Sequence, residues 1–329
     1  MTKSATQISR RGILAGGAAV AAAMPMVAAV QSVPARAQVP PLGPIRPAVY
    51  RVKLGEFELT TILDGAIQFD GPAGTFGVNQ QEADVKKFAS DNLLPENKLE
   101  NSFTPVIVNT GREVILFDTG NGAGRRPNAG KLAATLDIAG LSADQVSMVV
   151  ITHCHGDHIG GLMESGKPAF PKARYVIGQA EYDFWSHKDR LTGPTEANGK
   201  LVQSNVVPLA EKMTFIKPGD DVVTGITSID LSGHTPGMLG FNVESGGKRL
   251  VILADTTNHY MMSLAKPEWH VRFDMDKDKG VATRKKTLDM LATDKVPFTG
   301  YHMPFPAIGF VEKNGDSFRW VAHTYQLHV

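Results

Sequence analysis

The sequence of 329 residues has little cysteine and no large excess of charge of either sign. Its single cysteine, Cys154, excludes an intramolecular disulfide framework and a cysteine-rich zinc or iron–sulfur site. The 34 Lys and Arg residues nearly balance the 33 Asp and Glu residues, and a formal charge of +1 argues against an electrostatic nucleic-acid binder. With 42% hydrophobic and 20% charged residues, the composition is that of a globular protein with a sizeable core.

The first 37 residues contain no acidic side chain and have the order of an export signal. Arg10-Arg11 precedes an Ala-rich apolar run over residues 15–30, and Ala35-Arg36-Ala37 has the small–x–small pattern that a signal peptidase cleaves. This order predicts a twin-arginine signal peptide over residues 1–37. The run is too short and too rich in Gly and Ala for a good membrane span, and no other segment is long and apolar enough. We therefore expect a periplasmic or secreted protein that meets the twin-arginine translocase during export.

Residues 38–329 are predicted to form a single domain, because no linker long enough to separate two domains interrupts them. Without the basic signal peptide their formal charge is −3. Strand-like and helix-like patterns alternate along this part of the chain. Strands are predicted at residues 49–63 (two strands), 105–109, 113–117, 147–152, 174–177, 226–231, 238–243 and 249–253. Helices are predicted at residues 80–94, 131–139, 179–187 and 281–292. Strands in two separate groups indicate a layered α/β architecture.

One loop directly after a predicted strand holds four potential metal ligands within six positions. His153 and His155 are two residues apart, so in extended backbone they project to the same side and can share one metal ion. A turn at Gly156 then points the next two side chains, Asp157 and His158, toward a second position. Cys154 should point away from the histidines, as a small buried hydrophobic residue.

Three further candidate ligands, His234, Asp255 and His302, each follow a strand-like run. Side chains at strand ends converge on one edge of a layered sheet, where α/β folds place their sites. Asp118, in the turn 118–120, is expected to cap backbone N–H groups of its own turn and to touch no metal. By default we assign surface or core positions to the other histidines, His187, His259, His270, His323 and His328.

This pattern resembles that of the metallo-β-lactamase-fold hydrolases in order and approximate spacing. The resemblance covers residues 49–325 and is greatest to the branch of methyl parathion hydrolase and related bacterial lactonases and arylesterases. It implies an α/β fold, a four-layer αββα sandwich, with two metal ions at one edge. The resemblance assigns the first metal to His153, His155 and His234, the second to Asp157, His158 and His302, and the bridge between them to Asp255.

Two divalent ions roughly 3.5–4 Å apart can share one water molecule and ionise it near neutral pH. Such a metal-bridging hydroxide would attack a carbonyl carbon or a phosphorus atom. Asp157 can orient this nucleophile and later pass its proton to the leaving group, so Asp157 and Asp255 are the predicted catalytic residues. Histidine and aspartate ligands favour zinc and leave manganese, cobalt and iron open.

The residues predicted to line the substrate pocket are Ile67, Phe69, Arg125, Trp185, Asn258, His259, Phe273 and Phe305. Trp185 resembles an aromatic wall of the relatives that act on organophosphates. Two further aromatic residues expected from that resemblance are missing: Arg125-Arg126 replaces one, and the other is absent near Lys200-Leu201. These departures favour a lactone or aryl ester over a phosphotriester such as methyl parathion. The arginine pair either approaches a polar group of the substrate or is solvated surface charge.

The sequence therefore predicts a dinuclear metal-dependent hydrolase of a small-molecule lactone or aryl ester, and it leaves a homodimer open. One alternative is a quorum-quenching acyl-homoserine-lactone lactonase, although Asn258 stands where those enzymes carry a tyrosine. An alternative of another class is an iron-dependent oxidoreductase of the same fold, which the complete second set of ligands disfavours. A third is a non-catalytic metal-binding module.

Overall fold

The computed structural model describes residue 43, residues 45–323 and residues 327–329. The predicted signal peptide, residues 1–37, and residue 38, where the predicted domain begins, lie outside this part of the chain. Arg46–Val329 is one compact unit. Within the described ranges, no helix combines the length and the apolar character needed to cross a membrane.

The described residues form short strands and helices that alternate along the chain. The strands are β1 Val49–Leu54, β2 Phe57–Ile62, β3 Gly65–Asp70, β4 Lys98–Phe103, β5 Val106–Asn109, β6 Val114–Phe117, β7 Met148–Ile151, β8 Met163–Glu164, β9 Lys167–Pro168, β10 Arg174–Gly178, β11 Met213–Ile216, β12 Asp221–Val223, β13 Ile226–Asp230, β14 Leu239–Ser245, β15 Lys248–Ile252, β16 Phe298–Thr299, β17 Ile308–Asn314 and β18 Ser317–Ala322. The α-helices are α1 Glu82–Asp91, α2 Leu132–Ile138, α3 Gly156–Ile159, α4 Gln179–Ser186, α5 Glu196–Asn205, α6 Met262–Ala265 and α7 Lys277–Asp294.

Two seven-stranded sheets organise the fold. The first has the order β1-β2-β5-β6-β7-β10-β11, and the second runs from β12 to β18 in sequence order. In the first sheet β6, β7, β10 and β11 are parallel neighbours, whereas β1, β2, β5 and β6 pair antiparallel. In the second sheet only β15 and β16 pair in parallel. Two small two-stranded sheets, β3-β4 and β8-β9, lie outside both.

The main apolar core lies between the two large sheets. In β7 the side chains of Met148 and Val150 join this core, while those of Val149 and Ile151 join a second cluster on the opposite face. This alternation follows from the two-residue period of a strand and requires both faces to be covered. The continuous apolar run of β7 is therefore the sequence of a strand buried on both sides.

Helices cover the outer faces of both sheets. On the first sheet, Leu136 of α2, Trp185 of α4 and Val202 of α5 join the outer cluster. On the second sheet, Leu288 and Leu291 of α7 pack in a third cluster with side chains of β15 and β16. The result is a helix–sheet–sheet–helix sandwich, so the predicted α/β class with four layers is confirmed. Each strand and helix predicted from the sequence is present, with ends that differ by a few residues.

Candidate metal centre

The His-rich loop begins at the end of β7 and is held there by Asp118. The carboxylate of Asp118 accepts hydrogen bonds from the backbone N–H and the hydroxyl of Thr152, both at 2.8 Å. The loop then turns into the single-turn helix α3, which begins at Gly156 and carries Asp157 and His158. The predicted change of direction at Gly156 is therefore present, and it separates the first two ligands from the next two.

Three histidines form the first cluster of candidate ligands. His153 and His155 lie on either side of the buried Cys154, and His234 comes from the loop that follows β13. The Nε2 atom of His153 is 3.2 Å from Nδ1 of His155, which is 2.8 Å from Nε2 of His234. These three nitrogens point at one small volume, so the group could hold one metal ion.

Two carboxylates and two further histidines form the second cluster. The Nε2 atom of His158 lies 3.7 Å from an oxygen of Asp157 and 3.2 Å from Oδ1 of Asp255. The Nε2 atom of His302 lies 3.5 Å from an oxygen of Asp157 and 3.0 Å from Oδ2 of Asp255. This group could hold a second ion.

Asp255 lies between the two clusters. It follows β15, and its Oδ2 atom is 3.3 Å from Nε2 of His234 in the first cluster and 3.0 Å from Nε2 of His302 in the second. Its other oxygen, Oδ1, faces His158. One carboxylate thus reaches both groups, which is the arrangement that a bridging ligand requires.

The chemistry of these donors fits two metal ions. Nε2 of His158 and Oδ1 of Asp255 are buried and have no hydrogen-bond partner among the described residues. Buried polar atoms are normally satisfied, so a ring nitrogen and a carboxylate oxygen that face each other without a hydrogen bond fit a cation held between them. Neutral histidine nitrogens and aspartate oxygens are ligands that zinc accepts readily.

Buried acceptors fix the ring orientation of three of the histidines. Asp118 accepts from Nδ1 of His158, Asp274 from Nδ1 of His234, and the backbone carbonyl of Ser102 from Nδ1 of His302, each at 2.8 Å. A proton held on Nδ1 leaves the lone pair of Nε2 facing the cluster, as in the carboxylate–histidine–metal arrangements of other metal sites.

This observation corrects the role predicted for Asp118. We expected it to cap its own turn, but its carboxylate binds Thr152 on the neighbouring strand and the ring of His158. Its backbone φ of 62° places it in the left-handed region, directly after β6. The expectation that Asp118 itself is not a ligand remains a prediction.

Burial and neighbouring charge divide the histidines into two groups. Burial and the nearby histidines lower the pKa of His153 and of His155 well below the usual value, so both rings are neutral. Burial also opposes charge on His234, but hydrogen bonds to Asp255 and Asp274 outweigh it and raise the pKa to about 9. The pKa values of His158 and His302 are raised in the same way by the charge of Asp255. Each of these three rings would have to release a proton before it could bind a metal ion.

A buried glutamate, Glu181 of α4, connects the two loops of the first cluster. Its carboxylate accepts from the backbone N–H of Cys154, the hydroxyl of Thr235 and the backbone N–H of Gly237, at 2.7 to 3.0 Å. Burial raises the pKa of Glu181 despite these bonds. The carboxylate thereby holds the loop of His153 and His155 against the loop of His234.

Five of the seven candidate ligands open into one cavity of about 380 Å³, which His153 and His158 do not line. Its floor includes His155, Asp157, His234, Asp255 and His302. One wall is the inner face of the β3-β4 hairpin, whose facing residues share a side because Phe69 pairs with Leu99 and Ile67 with Asn101. The remaining lining residues are Thr75, Phe76, Phe103, Asn121, Arg125, Gly156, Ala197, Asn198, Leu201, Asn258 and Phe273.

Five of the eight residues predicted for the pocket line this cavity: Ile67, Phe69, Arg125, Asn258 and Phe273. Trp185 does not, because it is buried in the outer core with its ring centroid 6.0 Å from that of His155. His259 is buried against Phe76, and its Nδ1 atom accepts from the backbone N–H groups of residues 261 and 262. Phe305, which is half-buried, is also absent from the described lining.

Several residues that shape the site were missed in the sequence. Asp274 orients His234 and also pairs with the buried guanidinium of Arg284 at 2.6 Å. Asp64 is buried and accepts four hydrogen bonds from the loop that follows β6. Glu181 is the third, and a glutamate in an otherwise apolar helical face was the signal that could have identified it. The five histidines assigned by default to surface or core positions do not line the cavity: His187, His259, His270, His323 and His328.

The chain is similar to several known proteins. Residues 102–300 match the Metallo-beta-lactamase superfamily. AidC, a dizinc quorum-quenching lactonase, is 27% identical and superimposes with a TM-score of 0.78, covering 85% of this chain and 98% of its own. The hydrolase AbOPH of the beta lactamase superfamily is 24% identical, with a TM-score of 0.79 over 86% of this chain and 100% of its own.

A curated relative, Ribonuclease Z of Pyrococcus furiosus, is 35% identical over 126 residues, which are 38% of this chain. The chain spans only 32% of the length of that enzyme. Because the superfamily match covers more than half of the sequence, the chain belongs to the metallo-beta-lactamase superfamily. Its structural neighbours and its His/Asp cluster support a metal-dependent hydrolase.

Proposed function

We propose that this protein is a dinuclear metal-dependent hydrolase of lactones or aryl esters. The observation that carries the proposal is the position of Asp255, whose carboxylate reaches the histidines of both clusters at the floor of one cavity. The ligands of the first ion would be His153, His155 and His234, those of the second Asp157, His158 and His302, with Asp255 shared. Zinc suits these donors best, with manganese, cobalt or iron as alternatives.

When bound, two divalent ions would polarise the scissile carbonyl and make a water molecule acidic enough to react near neutral pH. Among the residues of the second cluster, Asp157 is the most accessible, with 24% of its side chain exposed. Its carboxylate lines the cavity. It can therefore accept a proton and deliver it to the oxygen of the departing alcohol. The backbone carbonyl of Asp157 accepts from the Tyr301 hydroxyl at 2.6 Å, which fixes the residue in place.

The apolar wall of the cavity favours an ester that carries an apolar group. Ile67, Phe69 and Leu99 face the floor from the β3-β4 hairpin, and Phe103 packs its ring 5.6 Å from that of His302. Trp185 does not line the cavity, and Arg125 lines it where the resemblance called for an aromatic residue. These features favour lactones and aryl esters, and leave phosphotriesters as a side activity. We place the chain with the lactonases and arylesterases of the methyl parathion hydrolase branch.

A second candidate is hydrolysis of acyl-homoserine lactones. The likeness to AidC, at 27% identity over 85% of this chain, favours it. Asn258, whose Nδ2 donates to Asp255 at 3.1 Å, stands where a tyrosine was expected for those lactonases. Its acceptor oxygen has no partner among the described residues.

One substrate screen tests the reaction class. The protein loaded with zinc or with manganese is assayed with dihydrocoumarin, acyl-homoserine lactones, naphthyl acetate, methyl parathion and a cephalosporin. We expect turnover of dihydrocoumarin and naphthyl acetate, and loss of that turnover in Asp255→Asn. Asp294→Asn, which changes an exposed carboxylate at the end of α7, is the matched control and should behave as wild type.

Other outcomes separate the alternatives. Turnover of the cephalosporin alone would contradict the proposed branch. A purified protein with a single iron per chain, an iron absorption band and no hydrolysis would favour the oxidoreductase. Unchanged activity in Asp255→Asn would show that the metal site is not the catalytic site.

Export remains a proposal that rests on the sequence. We propose that residues 1–37 are a twin-arginine signal peptide and that residues 38–329 are the mature domain in the periplasm. Replacing Arg10 and Arg11 together by lysine should keep the protein in the cytoplasmic fraction. An unchanged distribution between the fractions would contradict this route.

A further inference from the structure

Arg125 is a cation at the cavity that has no partner for its charge within the described part of the chain. It ends a short 3₁₀ turn over Ala123–Arg125, and its exposed side chain lines the cavity. Its guanidinium makes no hydrogen bond or ion pair with any described residue. Among the described lining residues it is the only Lys or Arg.

The neighbouring arginine shows the opposite arrangement. Arg126 forms a two-pronged ion pair with Glu164, at 2.9 and 3.0 Å, and donates from Nε to the carbonyl of Gly130 at 2.8 Å. It therefore holds its own loop, and it is absent from the cavity lining. The arginine pair of the sequence is thus divided between a structural role and a cavity role.

The loop that carries Arg125 is anchored before any ligand arrives. Buried Asp64 accepts hydrogen bonds from the backbone and side chain of Asn121 and from the backbone N–H groups of Gly130 and Leu132, at 2.9 to 3.0 Å. Gly122 packs so closely on α3 that a Cβ atom there would lie 2.1 Å from the carbonyl oxygen of Gly160. A fixed backbone lowers the conformational entropy lost when the side chain binds a ligand.

The other residues that line the cavity indicate what kind of ligand could reach Arg125. The acidic groups in the lining, Asp157 and Asp255, belong to the candidate metal clusters at the floor. The hairpin wall is apolar apart from Asn101. A ligand that fills the cavity thus meets candidate metal ligands, an apolar wall and the exposed guanidinium of Arg125. The planar guanidinium fork matches a carboxylate better than any other common organic anion except a phosphate group.

From this arrangement we propose that the substrate is an ester or lactone that carries a carboxylate away from its scissile carbonyl, and that Arg125 binds this carboxylate. The inference rests on the proposed ester or lactone hydrolysis at the same site. It narrows the substrate class from neutral apolar esters to anionic ones, and it makes Arg125 a residue that determines specificity.

Two pairs of esters with matched reacting groups test the proposal in the zinc-loaded protein. The first pair is 4-nitrophenyl hexanoate and mono-4-nitrophenyl adipate, which differ by a carboxylate at the end of the acyl chain. The second is phenyl acetate and 4-acetoxybenzoate, which differ on the leaving group. We expect kcat/KM to favour the carboxylate in at least one pair. In that pair Arg125→Gln should lower kcat/KM for the anionic ester by roughly tenfold, with little change for the neutral one.

Two further variants make the result specific. Arg125→Lys keeps the positive charge but lacks the planar guanidinium group, so it should retain part of the preference for the anionic ester. Arg112→Gln removes an equal charge from the exposed β5-β6 turn and should change neither ester. Equal losses for both members of each pair in Arg125→Gln, or the same loss in Arg112→Gln, would overturn the inference. A wild-type protein that hydrolyses neither member of either pair would instead overturn the proposed function.

Discussion

Asp118 determines which nitrogen of His158 faces the candidate metal centre. Its carboxylate also accepts from Thr152, so one buried side chain fixes both the start of the His-rich loop and a ring within it. Aspartate is suited to this because every atom that faces it is a donor. An amide in its place would turn an N–H donor either toward the backbone N–H of Thr152 or toward the hydroxyl of Thr152 and Nδ1–H of His158.

Asp118→Asn should therefore weaken binding of the second metal ion. We expect its affinity for zinc to fall by about 10- to 100-fold, because the ring of His158 loses its acceptor. Competition with a chromophoric chelator measures this affinity. Asp137→Asn, at an exposed position of α2, is the control. An unchanged affinity in Asp118→Asn would show that the carboxylate does not orient the ring.

His259 should make the stability of the protein depend on pH. Burial lowers its pKa to about 4, and the neutral Nδ1 atom accepts two backbone N–H bonds. The unfolded chain, with a histidine pKa of about 6.5, takes up a proton over a range in which the folded protein does not. The contribution of His259 to stability is therefore complete above about pH 6.5 and is lost as the pH falls to about 4.

As the pH falls across that window, we expect the free energy of unfolding to decrease by up to about 3 kcal/mol because of His259. His259→Asn offers an acceptor close to the position of Nδ1 and does not titrate. Urea unfolding between pH 7 and pH 4.5 measures how the free energy of unfolding depends on pH. In this variant the slope should correspond to about one proton fewer taken up on unfolding. Taking the difference between the two proteins removes the contribution of the histidines at the metal centre. Equal slopes would refute the assignment.

At the scale of elements, the β3-β4 hairpin lines the cavity but carries none of the candidate metal ligands. The hairpin is outside both large sheets, and one of its faces lines the cavity while Gln68 and its neighbours on the other face are polar. Changes on the inner face should therefore affect substrate binding without disturbing the ligands. This separation makes the hairpin the element whose sequence can vary with the substrate.

Ile67→Ala should raise KM for a hexanoate ester relative to an acetate ester. We expect a change of about three- to tenfold in that ratio, since the substitution removes apolar contact area from the wall. The kcat values should change little, because the floor is intact. Steady-state kinetics with both esters measures the ratio, and Gln68→Ala is the control on the outer face. A fall in kcat for both esters without a change in the KM ratio would mean that the hairpin supports the metal centre instead.

The elements that were predictable from sequence are those with local signals. The strand β7 is a short apolar run, and the turn at Gly111 between β5 and β6 has a left-handed φ of 81° that fits its glycine. In contrast, β4 reads Lys-Leu-Glu-Asn-Ser-Phe, which has low strand propensity, and its pairing with β3 spans an intervening helix. Neither strand of this hairpin was predicted from the sequence.

Among the residues of the site, too, only those with a local signal in the sequence were predictable. The ligands in the loop after β7 lie within six positions, so their spacing alone indicates a shared metal. Asp274 and Asp64 have no such neighbours in sequence, and their roles arise only when the fold brings them to His234 and to the loop of Asn121. Trp185 points into the core because α4 covers the outer face of the first sheet. A family pattern does not specify that orientation.

For the molecule as a whole, the sandwich brings together four loops that are distant in sequence. The ends of β7, β13, β15 and β16 place His153, His234, Asp255 and His302 within one group of contacts. A metal ion held by ligands from several of these loops would bind the folded chain in preference to the unfolded one, so it should stabilise the entire sandwich by mass action.

The number of zinc ions bound per chain tests the central claim most directly. Equilibrium dialysis of the chelator-treated protein against zinc at neutral pH, followed by elemental analysis, gives this number. The account predicts two ions per wild-type chain and fewer in Asp255→Asn, whose bridging carboxylate is lost. A wild-type chain that binds one zinc ion or none, with its fold intact by circular dichroism, would contradict the account.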